Sequence, residues 1–444
     1  MMRKDSAVCE AIDAVLRDYV PRHIPGASAV VSRGSFFFAK SCGFADLEKK
    51  TPAADSTKYM AASVTKQFAC AAVLKLALRG EIEIDEKISK YFPELPAWAD
   101  RVAVRNLMNH SSGIPDYFDE GFIEKYCAGG AFCRDDEALR IVSSYENLMF
   151  EPGTEHMYSN SGYILLGEII AKVCGGKFSE SARELLLDPA EMSGSDFLDS
   201  GERPEGMATG YFNNGGKNIQ APFNRAVAGW ADGNLCCAAS DLHKWHVALL
   251  EGIPMDKASY TEAASPLTLP DGRPTGAGFG LFSGLRGGIR EVWHTGSTLG
   301  YHCRISRFTD LPDGENAAVI IMCNADSGMA DGFGELFGKV TRAVLGDLLL
   351  SYEPEEGRVP TVEGRYISNL DEKMFCDVSP GDSGINLRGS IRGFKKGAGA
   401  SRIKSQDDIC FLVNGHSGVK VIFDGDKLIV DDVGRRTYLT RERR

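Results

Sequence analysis

Ser63 and Lys66 are spaced for nucleophilic chemistry, within the stretch Ala61-Ala62-Ser63-Val64-Thr65-Lys66-Gln67-Phe68-Ala69-Cys70-Ala71-Ala72-Val73-Leu74. Residues three apart share a helical face, so a Lys66 amine kept partly neutral by burial can take the proton of the Ser63 hydroxyl. A helix start there also supplies unsatisfied N–H groups and a positive dipole end where an oxyanion would form. The same Ser-x-x-Lys spacing recurs at Ser401 with Lys404 and at Ser417 with Lys420. Those two lie in alternating, turn-rich sequence, where a three-residue offset sends side chains to opposite faces of a strand. Only Ser63 sits on helical periodicity.

A serine–lysine pair needs a second proton-transfer group and a wall for the oxyanion. Tyr-x-Asn occurs at Tyr145, Tyr158 and Tyr211. Tyr158-Ser159-Asn160 is preferred, because it leaves the turn Glu151-Pro152-Gly153-Thr154 and enters the apolar helix predicted over Tyr163 to Val173. A phenol there has rigid support, and Asn160 can donate to a substrate carbonyl. The third element, Val292-Trp293-His294-Thr295-Gly296-Ser297, occurs once and reads as a strand end whose glycine admits a close backbone approach.

Several elements must position these groups. Gly26 to Ser32 and Ser35 to Lys40 read as a hairpin, and the Ser63 helix, ended by Gly80 as its C′ residue, follows. Residues 85 to 270 read as mostly helical, with loops marked by Pro93, Pro96, Gly113, Pro115 and Pro152-Gly153. Strand patterns return at Gly278 to Ser283, Ile289 to His294, Gly300 to Phe308 and Ala317 to Cys323, before a helix over Gly332 to Leu350. This order predicts an α+β domain: one antiparallel sheet built from both ends of the segment, covered by helices, with an all-helical lobe between and the nucleophile helix at the seam. From Val362 to Thr440, short alternating runs predict a small β-barrel or sandwich with no catalytic set of its own. The expected domains are 1–353 and 354–444.

With 444 residues, 43% hydrophobic and 25% charged, the chain has the composition of a globular protein with room for two domains. A net charge of −11 disfavours nucleic acid and anionic membranes as partners. No segment has the length of a membrane span, and charges interrupt the start where a signal peptide needs an apolar run. The twelve cysteines are scattered without framework or metal-ligand spacing, which favours buried thiols in a cytoplasmic protein; an exported chain lacking its signal would look the same. Among the histidines only His243 and His246 are close, and their pairing reads as structural, so no metal and no cofactor are expected.

Taken in order, Ser-x-x-Lys, Tyr-x-Asn and a basic residue before Thr-Gly resemble the penicillin-recognising serine hydrolases of β-lactamase/transpeptidase-like fold. Within them the pattern is similar to the branch of class C β-lactamases, D-aminopeptidases, DD-carboxypeptidase-like proteins and related esterases. Gly43-Phe44-Ala45-Asp46, Leu107 to Ile114, and Gly229 to Cys236 before Ser240-Asp241-Leu242 support it. The resemblance implies Ser63 as acylated nucleophile, Lys66 as its base partner, Tyr158 as acid–base group for the leaving group, and Asn160 as holder of the substrate amide. It implies an oxyanion hole from the N–H groups of Ser63 and Ser297, with His294, Thr295 and Gly296 lining the site. The tail, through Glu363-Gly364-Arg365-Tyr366, resembles the lipocalin-like barrels of D-aminopeptidases. His294 stands where β-lactamases and DD-peptidases place Lys, as in D-aminopeptidase-like relatives. This implies a preference for substrates without a carboxylate beside the scissile bond. The leading expectation is therefore hydrolysis of small D-amino-acid peptides or amides. Carboxylesterase, weak β-lactamase or DD-carboxypeptidase activity, and a catalytically silent peptidoglycan- or penicillin-binding relative, are the alternatives.

Overall fold

The computed structural model describes residues 2–122, 124–125, 137–199, 203–214, 217–223, 231–325, 333–349, 362–371, 373–381, 384–390, 398–403, 409–413, 419–432 and 435–442. Its main sheet has seven antiparallel strands in the order Thr51–Pro52, Phe36–Asp46, Gly26–Arg33, Ala317–Cys323, Tyr301–Phe308, Ile289–Thr298 and Phe282–Arg286. The predicted hairpin from the start of the chain pairs with the strand before the last helix of this domain, from Ala27 opposite Cys323 to Arg33 opposite Ala317. Both central strands are buried almost throughout, so they read as unbroken apolar runs rather than as alternation.

One face of the sheet is covered by the helices Met2–His23 and Phe333–Leu345. Ile12, Leu16 and Val20 share a core there with Leu336, Phe337 and Val340. Truncating Phe337 in such a core costs about 3–5 kcal/mol. The other face packs on the helix Ala239–Glu251, whose Trp245 stacks on Phe68 of the nucleophile helix, Thr65–Leu78, in which every residue from Thr65 to Leu74 is buried. Having no polar face, that helix is stable only inside a lobe. It ends as expected: Gly80 takes φ +73, its N–H bonds to Ala77 O, and Glu81 N–H bonds to Leu76 O, the paired bonds of a Schellman cap.

The lobe differs from an all-helical one. Lys58–Met60, Leu235–Ala238 and Asp196–Phe197 form a small antiparallel sheet, and Tyr211–Asn214 pairs with Lys217–Gln220. Strands of two to four residues are too short to impose a period of two, which is why the sequence hides them. They matter, because the Lys58–Met60 pairing runs directly into the nucleophile turn.

Residues 364–441 form a closed barrel of eight antiparallel strands, sealed where Tyr366 and Ile367 of the first pair with Arg441 and Thr440 of the last. Its interior holds Tyr366, Val378, Leu387, Val421, Phe423, Leu428 and Leu439. Closure removes the exposed edges that a sandwich would leave. The expected boundary at 353/354 falls outside the described residues. The barrel's last strand touches the catalytic domain: Arg436 N–H donates to Thr275 O at 3.2 Å, and the Tyr438 hydroxyl to Pro274 O at 2.9 Å.

Candidate active site

Ser63 lies in a 3-10 turn, Ala62–Val64, that opens into the nucleophile helix. Ala62 before it takes φ +46, a left-handed conformation that costs a non-glycine residue about 1–2 kcal/mol. The neighbourhood holds the turn from several sides. Ala61 N–H donates to Leu235 O at 2.8 Å, the Thr65 hydroxyl to Ala62 O at 2.6 Å, and the Cys303 thiol to Ala61 O at 3.1 Å.

Lys66 is 0% exposed, and its Nζ donates to Ser63 Oγ at 3.1 Å, Asn160 Oδ1 at 2.8 Å and Asp232 O at 2.7 Å. The amine also lies 5.1 Å from the ring centre of Tyr158 and 5.2 Å from that of Tyr163. Ser63, Lys66, Tyr158 and Asn160 are thus brought together from the two helices that the sequence singles out.

Asn160 precedes the helix Ser161–Cys174 and is itself gripped by Asp116. Its backbone N–H donates to Asp116 Oδ1 at 2.9 Å and its side-chain Nδ2 to Asp116 Oδ2 at 3.0 Å. Loss of solvent raises the Asp116 carboxyl to about 6, against the pull of the bonded N–H groups and of Lys66. Loss of solvent also raises Asp232, although Lys66 and the Tyr117 hydroxyl, 2.9 Å from Asp232 Oδ2, work in the other direction. Two carboxyl groups therefore flank the buried Lys66 amine. In the sequence, the only signal of Asp116 is its place in Gly113-Ile114-Pro115-Asp116, a turn directly after Leu107 to Ile114.

His110 is the second residue missed as a site group. It takes φ +61, is buried, and stacks on Tyr158 with centroids 4.3 Å apart. Its Nδ1 accepts from Ser159 N–H at 3.2 Å, and burial holds its pKa well below the usual histidine value. A neutral ring is therefore the platform that fixes the plane of Tyr158.

The strand Ile289–Thr298 forms the opposite wall. Gly296 approaches the nucleophile turn so closely that a Cβ on it would lie 1.9 Å from Ala61 O. His294 is 2% exposed, and its ring packs 5.3 Å from Phe282 and 6.4 Å from Tyr158, centre to centre. Its Nδ1 lies 2.6 Å from Thr295 O, and a carbonyl can only accept, so that nitrogen carries a proton. Thr295 and Ser297 are half-buried on either side of Gly296. Beneath this strand, burial pushes Glu291 up, but Arg286 and Arg304, at 2.6 and 2.9 Å, outweigh it and hold the carboxyl below its ordinary range.

This arrangement of Ser63, Lys66, Tyr158 and the His294 strand sits inside the span matched by a family profile, Beta-lactamase, over residues 12–337. The chain belongs to the Beta-lactamase family. It is 28% identical over 307 residues to the D-aminopeptidase of Brucella canis, a match over 69% of this chain and 57% of that protein. The D-aminopeptidase of Brucella anthropi is 27% identical over 370 residues, 82% of this chain and 68% of that protein. The chain thus spans little more than half the length of the Brucella canis relative. Among solved structures, the D-amino acid amidase of Ochrobactrum anthropi SV3 superposes with a TM-score of 0.65 at 27% identity, over 76% of this chain and 98% of its own. The octameric penicillin-binding protein homologue of Pyrococcus abyssi, 23% identical with a TM-score of 0.64, shares the fold over 97% of this chain and 99% of its own.

Of the other residues singled out, His243 and His246 lie on the helix Ala239–Glu251. His243 packs edge-on against Phe37, and His246 is buried. No group of His, Cys, Asp and Glu arranged to hold a metal occurs among the described residues. Gly229 and Trp230, Lys404 and Ser417 lie outside the described residues. No described helix is long and apolar enough to cross a membrane.

Proposed function

We propose that this chain is a serine hydrolase that cleaves the amide of small D-amino-acid amides or peptides through an acyl-Ser63 intermediate. The observation that carries the reading is the fixed Lys66 amine, 3.1 Å from Ser63 Oγ. A neutral amine has two hydrogens and one lone pair. Asn160 Oδ1 and Asp232 O are placed to take the two hydrogens, which turns the lone pair toward the Ser63 hydroxyl. Ser63 Oγ then bonds to the substrate carbonyl carbon while its proton passes to Lys66. Tyr158, beside the same amine, hands a proton to the leaving nitrogen as the C–N bond breaks. Water repeats the attack on the ester and releases the D-amino acid. The N–H groups of Ser63 and Ser297 receive the oxyanion, with Thr295 and Gly296 along the substrate backbone.

The D-amino-acid preference is carried over from the D-aminopeptidases of Brucella and the D-amino acid amidase of Ochrobactrum anthropi. We place the catalytic unit in residues 1–353 and an accessory barrel in 354–444. The reading requires no cofactor, and the scattered cysteines favour a reducing compartment such as the cytoplasm. The test is a panel of D-alanyl and L-alanyl anilides, a short-chain acyl ester and a cephalosporin, each with Ser63→Ala as control. The D-anilide should be the best substrate and Ser63→Ala inert. A cephalosporin or ester turned over faster than the D-anilide would favour the other branches of the family.

A further inference from the structure

Arg307 is a cation enclosed in the main sheet, and among the described residues no carboxylate pairs with it. It lies on the strand Tyr301–Phe308, opposite Val292 and Ala318 of the two neighbouring strands, and is 1% exposed. By the two-residue period of the strand it shares a face with Cys303 and Ile305, whose core includes the nucleophile helix. The other face of the same strand treats a buried arginine differently. There Arg304 meets Glu291 at 2.9 Å, and Arg286 meets the same carboxylate at 2.6 Å. Arg307 meets neutral groups instead: its Nη2 donates to Gln67 Oε1 at 2.6 Å, and that oxygen also accepts from Trp245 Nε1 at 3.0 Å. Asp310, which lies toward Tyr260, is exposed and pairs with Arg290 at 3.4 Å.

The polar atoms left over around the guanidinium are of one kind. Arg307 Nε and Nη1, Gln67 Nε2, the Tyr260 hydroxyl and His246 Nδ1 are shielded from solvent and have no hydrogen-bond partner in the protein. Gln67 is bonded to Arg307, and Tyr260 and His246 lie within electrostatic reach of it, so these atoms form one cluster. Two donors on Gln67 Oε1 fix the orientation of that amide and leave its Nε2 facing outward from the pair. Arg307 Nε and Nη1 and Gln67 Nε2 can only donate, and the Tyr260 hydroxyl can donate as well. A guanidinium keeps its proton at any working pH, so spare donors and a full positive charge coincide. Water would occupy some of the donors but would leave the charge uncompensated in a low-dielectric interior, which is costly. An anion answers both requirements.

We propose that Arg307, Gln67 and Tyr260 form a binding site for a small monatomic anion, chloride, enclosed behind the nucleophile helix. The enclosure selects the class of ligand: the donors are closed off from solvent, which suits an ion without its hydration shell better than a tetrahedral oxyanion. Gln67 is the third residue of the nucleophile helix and follows Lys66 directly, so the ion ties the start of that helix to the sheet. The site is separate from the acyl-serine chemistry and does not depend on the hydrolase reading.

The test begins with wild-type crystals soaked in sodium bromide and measured at the bromine absorption edge. An anomalous peak in contact with Arg307 Nε or Nη1 is expected; water alone at that position overturns the proposal. In solution, chloride replaces gluconate at constant ionic strength. From about 1 to 100 mM chloride, Tm should rise by about 3 °C, with bromide acting alike and sulfate not. Ser63→Ala should show the same shift as wild type, which keeps this result apart from the fate of the hydrolase reading. Arg307→Met should abolish the halide shift, and Tyr260→Phe, which keeps the ring and removes one donor, should reduce it to half or less. If Arg307→Met does not fold, Tyr260→Phe and the bromide map decide. Equal Tm in chloride and gluconate, or a full halide shift in these variants, overturns the proposal.

Discussion

Lys66 Nζ and Asn160 Oδ1 are 2.8 Å apart, and Asn160 is held in turn by both oxygens of Asp116, so the amine beside Ser63 Oγ is oriented through a chain of three side chains. Both Asp116 oxygens accept hydrogen bonds, the pattern of a carboxylate rather than a carboxylic acid.

Protonating Asp116 puts a hydrogen where an acceptor is needed and releases Asn160. With its pKa raised to about 6, activity should fall as pH drops through about 6, an acid limb set by Asp116. Asp116→Asn should remove or shift that limb and lower kcat about 10-fold or more, because one oxygen replaces two acceptors. A limb of unchanged midpoint in Asp116→Asn would show that another group sets it. Asn160→Ala should cost about 10²-fold in kcat, since it frees the Lys66 amine.

Gly296→Ala should be damaging beyond the size of one methyl group. The added Cβ meets Ala61 O at 1.9 Å and Cys303 Sγ at 2.8 Å, so the strand must retreat from the nucleophile turn. Overpacking of this kind costs about 1–3 kcal/mol of stability. Activity should fall further than stability, because the wall of the oxyanion moves. A variant with wild-type kcat/KM would contradict the close approach.

His110 and His246 are buried, and burial holds both well below the ordinary histidine value, His246 at about 3. Below pH 6.5 the unfolded chain takes up protons that the folded state refuses, so stability present above that pH is lost on acidification. Each group contributes about 1.4 kcal/mol per pH unit. Asp116, raised rather than lowered, acts oppositely between about pH 4 and 6, and Asp232 acts in the same direction, while His156, also held at about 3 by burial, adds to the loss and leaves the histidines the larger side. Denaturant melts should therefore show stability decreasing from pH 7 to pH 5, with a shallower slope in His246→Leu. A stability rising toward pH 5 would contradict this balance.

Local chemistry was legible and distant chemistry was not. Ser63 and Lys66 are one helical turn apart, so their meeting follows from spacing alone, and the main strands and the Schellman end at Gly80 follow from periodicity and a glycine. Tyr158 could be ranked above Tyr145 and Tyr211 only by the turn before it and the apolar helix after it, and His294 by a motif that occurs once. Asp116 grips a residue 44 positions away, and the Ala61 anchor comes from Leu235 through a strand of four residues, too short to show a period. The contact of Tyr438 with Pro274 was invisible for a stronger reason. The two lie 164 positions apart, and alternation within a barrel strand says nothing of what its rim touches.

The central claim is that Ser63 is the nucleophile activated by Lys66. The direct measurement is intact-protein and peptide mass analysis after brief exposure to a fluorophosphonate. One adduct should form, on the peptide carrying Ser63, in wild type; the label should be absent in Ser63→Ala and slowed at least about 10²-fold in Lys66→Met. Label on a different serine, or Lys66→Met labelled at the wild-type rate, would contradict the account.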